Sequence, residues 1–117
     1  MANVFLSVLQ RQSNGVNEMF GYGGKVLRVN LTEKRIEEKD LDPQLAKEWL
    51  GGRGFIAKIL YDEVPKGIDP FSPENKLIIA TGPLSGTFWP SAAKVVFGTK
   101  SPLTAGYGDS NLGGFLM

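Results

Sequence analysis

The 117-residue chain has no cysteine and no histidine. It therefore cannot build disulfides, thiolate nucleophiles, thiolate-ligated iron–sulfur sites, the usual zinc sites or imidazole acid–base chemistry from its own side chains. Neither sign of charge dominates, because 13 Lys and Arg stand against 12 Asp and Glu for a net charge of +1. That balance argues against a nucleic-acid partner held by bulk charge. Long hydrophobic runs are missing too. The apolar stretch Val4 to Leu9 has no cation before it and no small-residue cleavage site after it, and it is far too short to span a membrane. The expectation is a cytoplasmic protein with no membrane partner. A chain of this length makes one small domain whose core covers about two thirds of the surface of the unfolded chain.

Glycine is plentiful, at 15 residues, and with seven prolines it punctuates the chain. Residues 1–18 are polar and weakly patterned, and read as an N-terminal extension, disordered or loosely helical. From Met19 onward the pattern is legible. Leu27, Val29 and Leu31 alternate with Arg28 and Asn30, which predicts a half-buried strand over 25–31. The polar TEKR turns the chain into a second strand at 36–39. In LDPQLAKEWLGG, Asp42 suits an N-cap, Pro43 the first helical position and Gly51 a left-handed stop. A second helix over 54–63 places Phe55, Ile56, Ile59 and Leu60 on one side. VPKGIDPFSPEN is then an extended connection. KLIIATG reads as a strand buried on both faces, and KVVFGTK, 94–100, as another. The order is an α+β pattern without regular βαβ alternation. The chain stops two residues after a glycine-rich loop, with no closing strand or helix in view, which reads as an incomplete domain.

Each candidate site has a plain structural reading beside the functional one. GGRG, 51–54, suits a helix end and a tight corner, or an anion reached by Arg53. GPLSG, 82–86, is a connection between strands or a phosphate cradle, although it lacks the Lys and Ser/Thr of a P-loop and Pro83 removes a donor. SNLGG, 110–114, is a turn or a ligand loop: Asn111 both donates and accepts, and the glycines let the backbone approach a ligand closely. Lys94 and Lys100 share one face of their strand, solvated or framing an anion. Asp62, Glu63, Asp69 and Glu74 flank a loop without any spacing that marks a catalytic dyad, and Trp49, Trp89 and Phe71 read as core or interface.

Taken in order, MFGYGGKVLRVNLTEKRI, LAKEWLGGRGF, DPFSPENKLIIATGPLSGT and TKSPLTAGYGDSNLGGF resemble the start of the aldehyde ferredoxin oxidoreductase family. The resemblance runs from Met19 to about Phe115. It implies an α+β N-terminal domain, 19–117, incomplete here, that forms a base for a tungsten or molybdenum bis-pterin cofactor with magnesium. By that resemblance Asn111 and Gly113 contact the pterin and its phosphates. Lys94 takes the place of an arginine that binds pterin phosphate; it keeps the charge and loses the bidentate fork. Family members begin near the position of Met19, so residues 1–18 are expected to be an upstream extension or a misplaced start. The family's 4Fe-4S cluster needs cysteines that this chain lacks. The function implied is that of an N-terminal fragment of an enzyme oxidising aldehydes to carboxylic acids. Its partners would be the remainder of the enzyme polypeptide and, for the whole enzyme, ferredoxin. The fragment alone is expected to be inactive. Two alternatives stand beside it: a self-standing α+β module that binds a phosphate-bearing ligand or a partner protein, and a chain that does not fold stably by itself.

Overall fold

A computed structural model describes residues 3–7 and 21–114. Six strands form one sheet: β1 (Asn3–Ser7), β2 (Lys25–Asn30), β3 (Arg35–Asp40), β4 (Lys76–Thr81), β5 (Lys94–Lys100) and β6 (Tyr107–Gly113), in the spatial order β3-β2-β1-β4-β5-β6. Neighbours are antiparallel except β1 and β4, which run parallel. Two helices, α1 (Pro43–Trp49) and α2 (Arg53–Glu63), interrupt the strand order. α2 packs on β4 and β5, and α1 packs on α2. The expected α+β class is what the chain adopts.

Local chemistry accounts for most of these elements. The β2–β3 turn closes where the Asn30 Oδ1 accepts from the backbone of Thr32 and Glu33. Asp42 caps α1, its Oδ1 accepting from Gln44 N at 2.9 Å. The helix ends at Leu50, which itself takes a φ of 60°, one residue before the glycine expected to do so. The four apolar residues of α2 are all buried, with Ile56 at 0% exposure, against Val26, Ile78, Ala80 and Val96.

Four expectations change. Within the extension read as disordered or loosely helical, Asn3–Ser7 form a strand in the middle of the sheet; the rest of residues 1–18 lies outside the described residues. Five residues are too few for a period to show, and sheet pairing is a long-range decision that local pattern does not report. β4 is covered on one face only. Ile78 and Ala80 are fully buried under α2, while Leu77 and Ile79 on the opposite face stay half-buried. Trp49, Trp89 and Phe71 are not core residues, since they are 39%, 68% and 83% exposed. The glycine-rich stretch read as a loop is largely the strand β6, hydrogen-bonded along β5, so a closing strand does follow β5. Gly and Asn disfavour strands in isolation, and pairing along a preformed neighbour overrides that.

Candidate functional site

The register of β5 and β6 decides where the candidate residues fall. Lys94 lies directly across from Gly113, and Asn111 across from Val96. Opposed residues share a face, and alternation puts Lys94, Val96, Gly98 and Lys100 on the side of α2. Gly98 marks that contact, because a Cβ there would stand 2.3 Å from the Ile56 Cγ2. Lys94, Asn111 and Gly113, all exposed, are thus brought together at one end of the β5–β6 pair. Lys100 shares their face but lies at the far end of β5, about 20 Å from Lys94 at the rise of an extended strand. The two lysines do not frame a single anion.

Glycine motifs distant in sequence gather at the Lys94 end. Gly51, at φ 128°, lies so close to β4 that a Cβ would be 2.7 Å from the Thr81 carbonyl, and Gly52 N donates to that same oxygen at 3.0 Å. Gly21 lies against Pro83 of the GPLSG segment, and Gly113 against the Ala93 carbonyl. The Ser85 Oγ donates to the Lys94 carbonyl at 3.1 Å, fixing the start of β5. The GPLSG segment is part of the β4–β5 connection, as its plain reading held. Beyond it Phe88 and Trp89 are exposed.

One part of the arrangement had no signal in the sequence. Arg53, at the start of α2, makes a bidentate pair with Asp109 of β6, Nε to Oδ2 at 2.7 Å and Nη2 to Oδ1 at 3.0 Å. The pair ties the GGRG corner to the SNLGG strand and engages Arg53 with a carboxylate rather than a bound anion. Its hydrogen bond holds the Asp109 carboxyl below the usual carboxylate range. Burial, followed by the hydrogen bond to Asp109, pushes the Tyr107 phenol up to about 12. Nothing local marks residues 56 positions apart as partners.

Three of the four carboxylates flanking the 64–75 connection, Asp62, Glu63 and Asp69, are engaged in structural contacts. Glu63 accepts from Arg28 and from Lys76, the latter at 3.1 Å. Asp62 pairs with Lys58, and Asp69 accepts from the Phe71 backbone. Burial raises Glu63, but its two cationic partners outweigh that and leave it below the usual range. It is an ionised structural group, not a general acid. A groove of about 460 Å³ between α1, α2 and the β2–β3 hairpin includes none of Lys94, Asn111 or Gly113.

An exposed ammonium, a carboxamide and bare glycine backbone on one strand pair suit the oxygens of a phosphate. Among the described residues no group of three or more Asp or Glu side chains is placed to hold a metal ion. The residues therefore fit the phosphate end of a cofactor and supply no cluster of metal ligands.

Comparison with known proteins identifies the family of the chain. The family model described as aldehyde ferredoxin oxidoreductase, N-terminal domain, matches residues 26–117. The chain is 53% identical over 97 residues to the tungsten-containing aldehyde ferredoxin oxidoreductase of Pyrococcus abyssi, covering 83% of this chain and 16% of that relative. It is 37% identical over 91 residues to the aliphatic sulfonate oxidoreductase, WOR-like subunit, of Pyrococcus furiosus, covering 75% and 14%. Among solved structures, it resembles a chain of the active site complex BamBC of benzoyl coenzyme A reductase in complex with 1,5-dienoyl-CoA. That match has a TM-score of 0.79 at 44% identity, over 82% of this chain and 15% of the other. The chain thus spans about one sixth of the length of the relatives it matches, and with most of its sheet and both helices inside the matched segment it belongs to the aldehyde ferredoxin oxidoreductase N-terminal domain family.

Proposed function

We propose that this chain supplies part of the seat of a tungsten or molybdenum pterin cofactor in a cytoplasmic enzyme of the aldehyde ferredoxin oxidoreductase type. The observation that carries the reading is the pairing of Lys94 with Gly113, which sets a cation beside side-chain-free backbone, with Asn111 two residues away on the same face. Lys94 attracts a pterin phosphate as a point charge. Asn111 orients it through its carboxamide, and Gly113 admits it close to the main chain. A magnesium ion at the phosphates would add positive charge to that of Lys94. When bound, the metal–pterin group would supply a two-electron acceptor for the oxidation of an aldehyde and water to a carboxylic acid and two protons. In the whole enzyme a 4Fe-4S cluster and ferredoxin would supply the route by which electrons leave, and both would be held by residues outside this chain. No cluster ligand comes from a cysteine-free chain, so the chain alone oxidises no aldehyde.

The test is a chimera in which residues 19–117 of this chain replace the matched segment of the Pyrococcus abyssi relative. It should retain tungsten and pterin, measured by metal and pterin analysis, and Lys94→Glu should lower both together. Equal cofactor content in the Lys94→Glu chimera would overturn the proposal. Tight binding of inorganic pyrophosphate by the isolated chain would instead favour a self-standing module for phosphate-bearing ligands.

A further inference from the structure

Strand β1 is the one element of the described sheet that lies wholly outside the family-matched segment, residues 26–117. It is also the strand on which continuity depends. β2 and β4 do not pair with each other; each pairs with β1, over five and four residue positions respectively. They stand two strand spacings apart, roughly 9–10 Å, which is room for one strand. A relative that shares β2 to β6 must fill that slot from outside the matched segment. Otherwise it leaves two rows of unpaired backbone groups in the middle of a sheet, which folded proteins avoid. The relatives have ample chain for this, since the match spans only 16% of them.

β1 itself is short. It is five residues long, and residues 8–24 separate it from β2, its antiparallel neighbour. That connection far exceeds the two-to-five-residue turns that normally pin hairpin register.

We propose that the slot between β2 and β4 is a strand-accepting site. Its partner is a β-strand from the portion of the aldehyde ferredoxin oxidoreductase polypeptide outside this chain's span. That strand enters antiparallel to β2 and parallel to β4, as β1 does, and displaces β1. The walls of the slot define its chemistry. Val26 and Ile78 are buried on the helix side, and Leu27, Val29, Leu77 and Ile79 are half-buried on the other. The partner is therefore a short run apolar on both faces, as central strands are. Only the partner's identity rests on the proposed function. The readout is backbone protection, which is separate from cofactor retention, so a chimera that fails to hold pterin leaves this inference standing.

The experiment is amide hydrogen exchange by mass spectrometry on the full chain. It is run with and without excess dodecapeptides tiled across the unmatched part of the Pyrococcus abyssi relative, with a peptide of residues 1–12 of this chain as reference. A Val4→Pro/Leu6→Pro variant disables β1 by removing ladder donors. In that variant the amides of β2 and β4 should exchange about tenfold faster or more while β5 stays protected. One contiguous set of relative-derived peptides, and the reference peptide, should restore them. Unchanged protection of β2 and β4 in the variant would overturn the proposal. So would rescue by the reference peptide alone, or relative-derived peptides that protect only other elements. If the variant unfolds throughout, the wild-type chain decides. Excess relative-derived peptide should expose residues 3–7 to exchange while β2 and β4 remain protected, and continued protection of residues 3–7 would overturn the proposal.

Discussion

At its C-terminal end α2 places Glu63 between Arg28 of β2 and Lys76 of β4, whereas at its N-terminal end Arg53 meets the single carboxylate of Asp109 on β6. The first is a half-buried triad with Lys76 only 17% exposed. The second joins an arginine left 57% exposed to an edge strand. The edges of the sheet differ in the same sense. β3 carries Arg35, Glu37 and Lys39 in ion pairs, and Lys25 bonds Asp40 beside them at 2.6 Å; such a charged edge resists further pairing. β6 reads YGDSNLG, with one charge and two glycines that leave its backbone open. One half of the domain is finished as scaffold. The other half is left receptive, and the candidate residues lie there.

The contrast can be broken most severely where the receptive half rests on the core. Gly98→Val drives a side chain into Ile56 and should cost about 3 kcal/mol, as overpacking a tight contact does. A lowered urea midpoint with early loss of β6 protection is the expected result. Unchanged stability would show that the β5–α2 contact is looser than described.

The scaffold half should yield less. Glu63→Ala leaves two cations facing each other and should cost about 1–2 kcal/mol, discounted for the partial exposure of all three groups. Because Glu63 titrates below its ordinary value of 4.5 when folded, its contribution is complete above that pH. It is lost as pH falls through the depressed folded value. Glu63→Gln should accordingly flatten the acid limb of stability against pH.

A milder perturbation tests the Arg53 end. Asp109→Asn should lower the Tyr107 titration midpoint from about 12, followed by the tyrosine ¹³Cζ shift in NMR. It should not return fully to the ordinary value, since burial is the largest cause. A midpoint that stays near 12 would mean that burial alone sets it. Smallest in stability is the β3 edge. Glu37→Val with Lys39→Val should change the folding free energy by less than about 0.5 kcal/mol yet raise self-association in sedimentation velocity. A monomer at all concentrations would show that those charges are not what protects the edge.

Much of this was legible before any coordinates. The β2–β3 hairpin, α2 with its four apolar residues and the β5 strand follow from period and punctuation, because their signals are local. Asp42 announces α1 for the same reason. The central strand β1 and the edge strand β6 were not legible, since NVFLS is too short to show a period and YGDSNLG contradicts strand propensity. Both exist through a neighbour's hydrogen bonds. Trp49 and Leu50 illustrate a different limit. Their spacing from Leu45 and Ala46 predicts a helix, which forms, but only Ala46 is buried, at 2% exposure, while Leu50 is 63% exposed. Periodicity reports a face and not what covers it.

For the site, the sequence determined the chemistry on offer: one lysine, one carboxamide, clustered glycines and no thiol or imidazole. That is a matter of side-chain inventory, complete once the residues are known. Only the tertiary structure decided that Lys94 faces Gly113, that Lys100 is out of reach, and that Arg53 is joined to Asp109. Register and helix placement set those relations, and both are fixed by contacts between residues far apart in the chain.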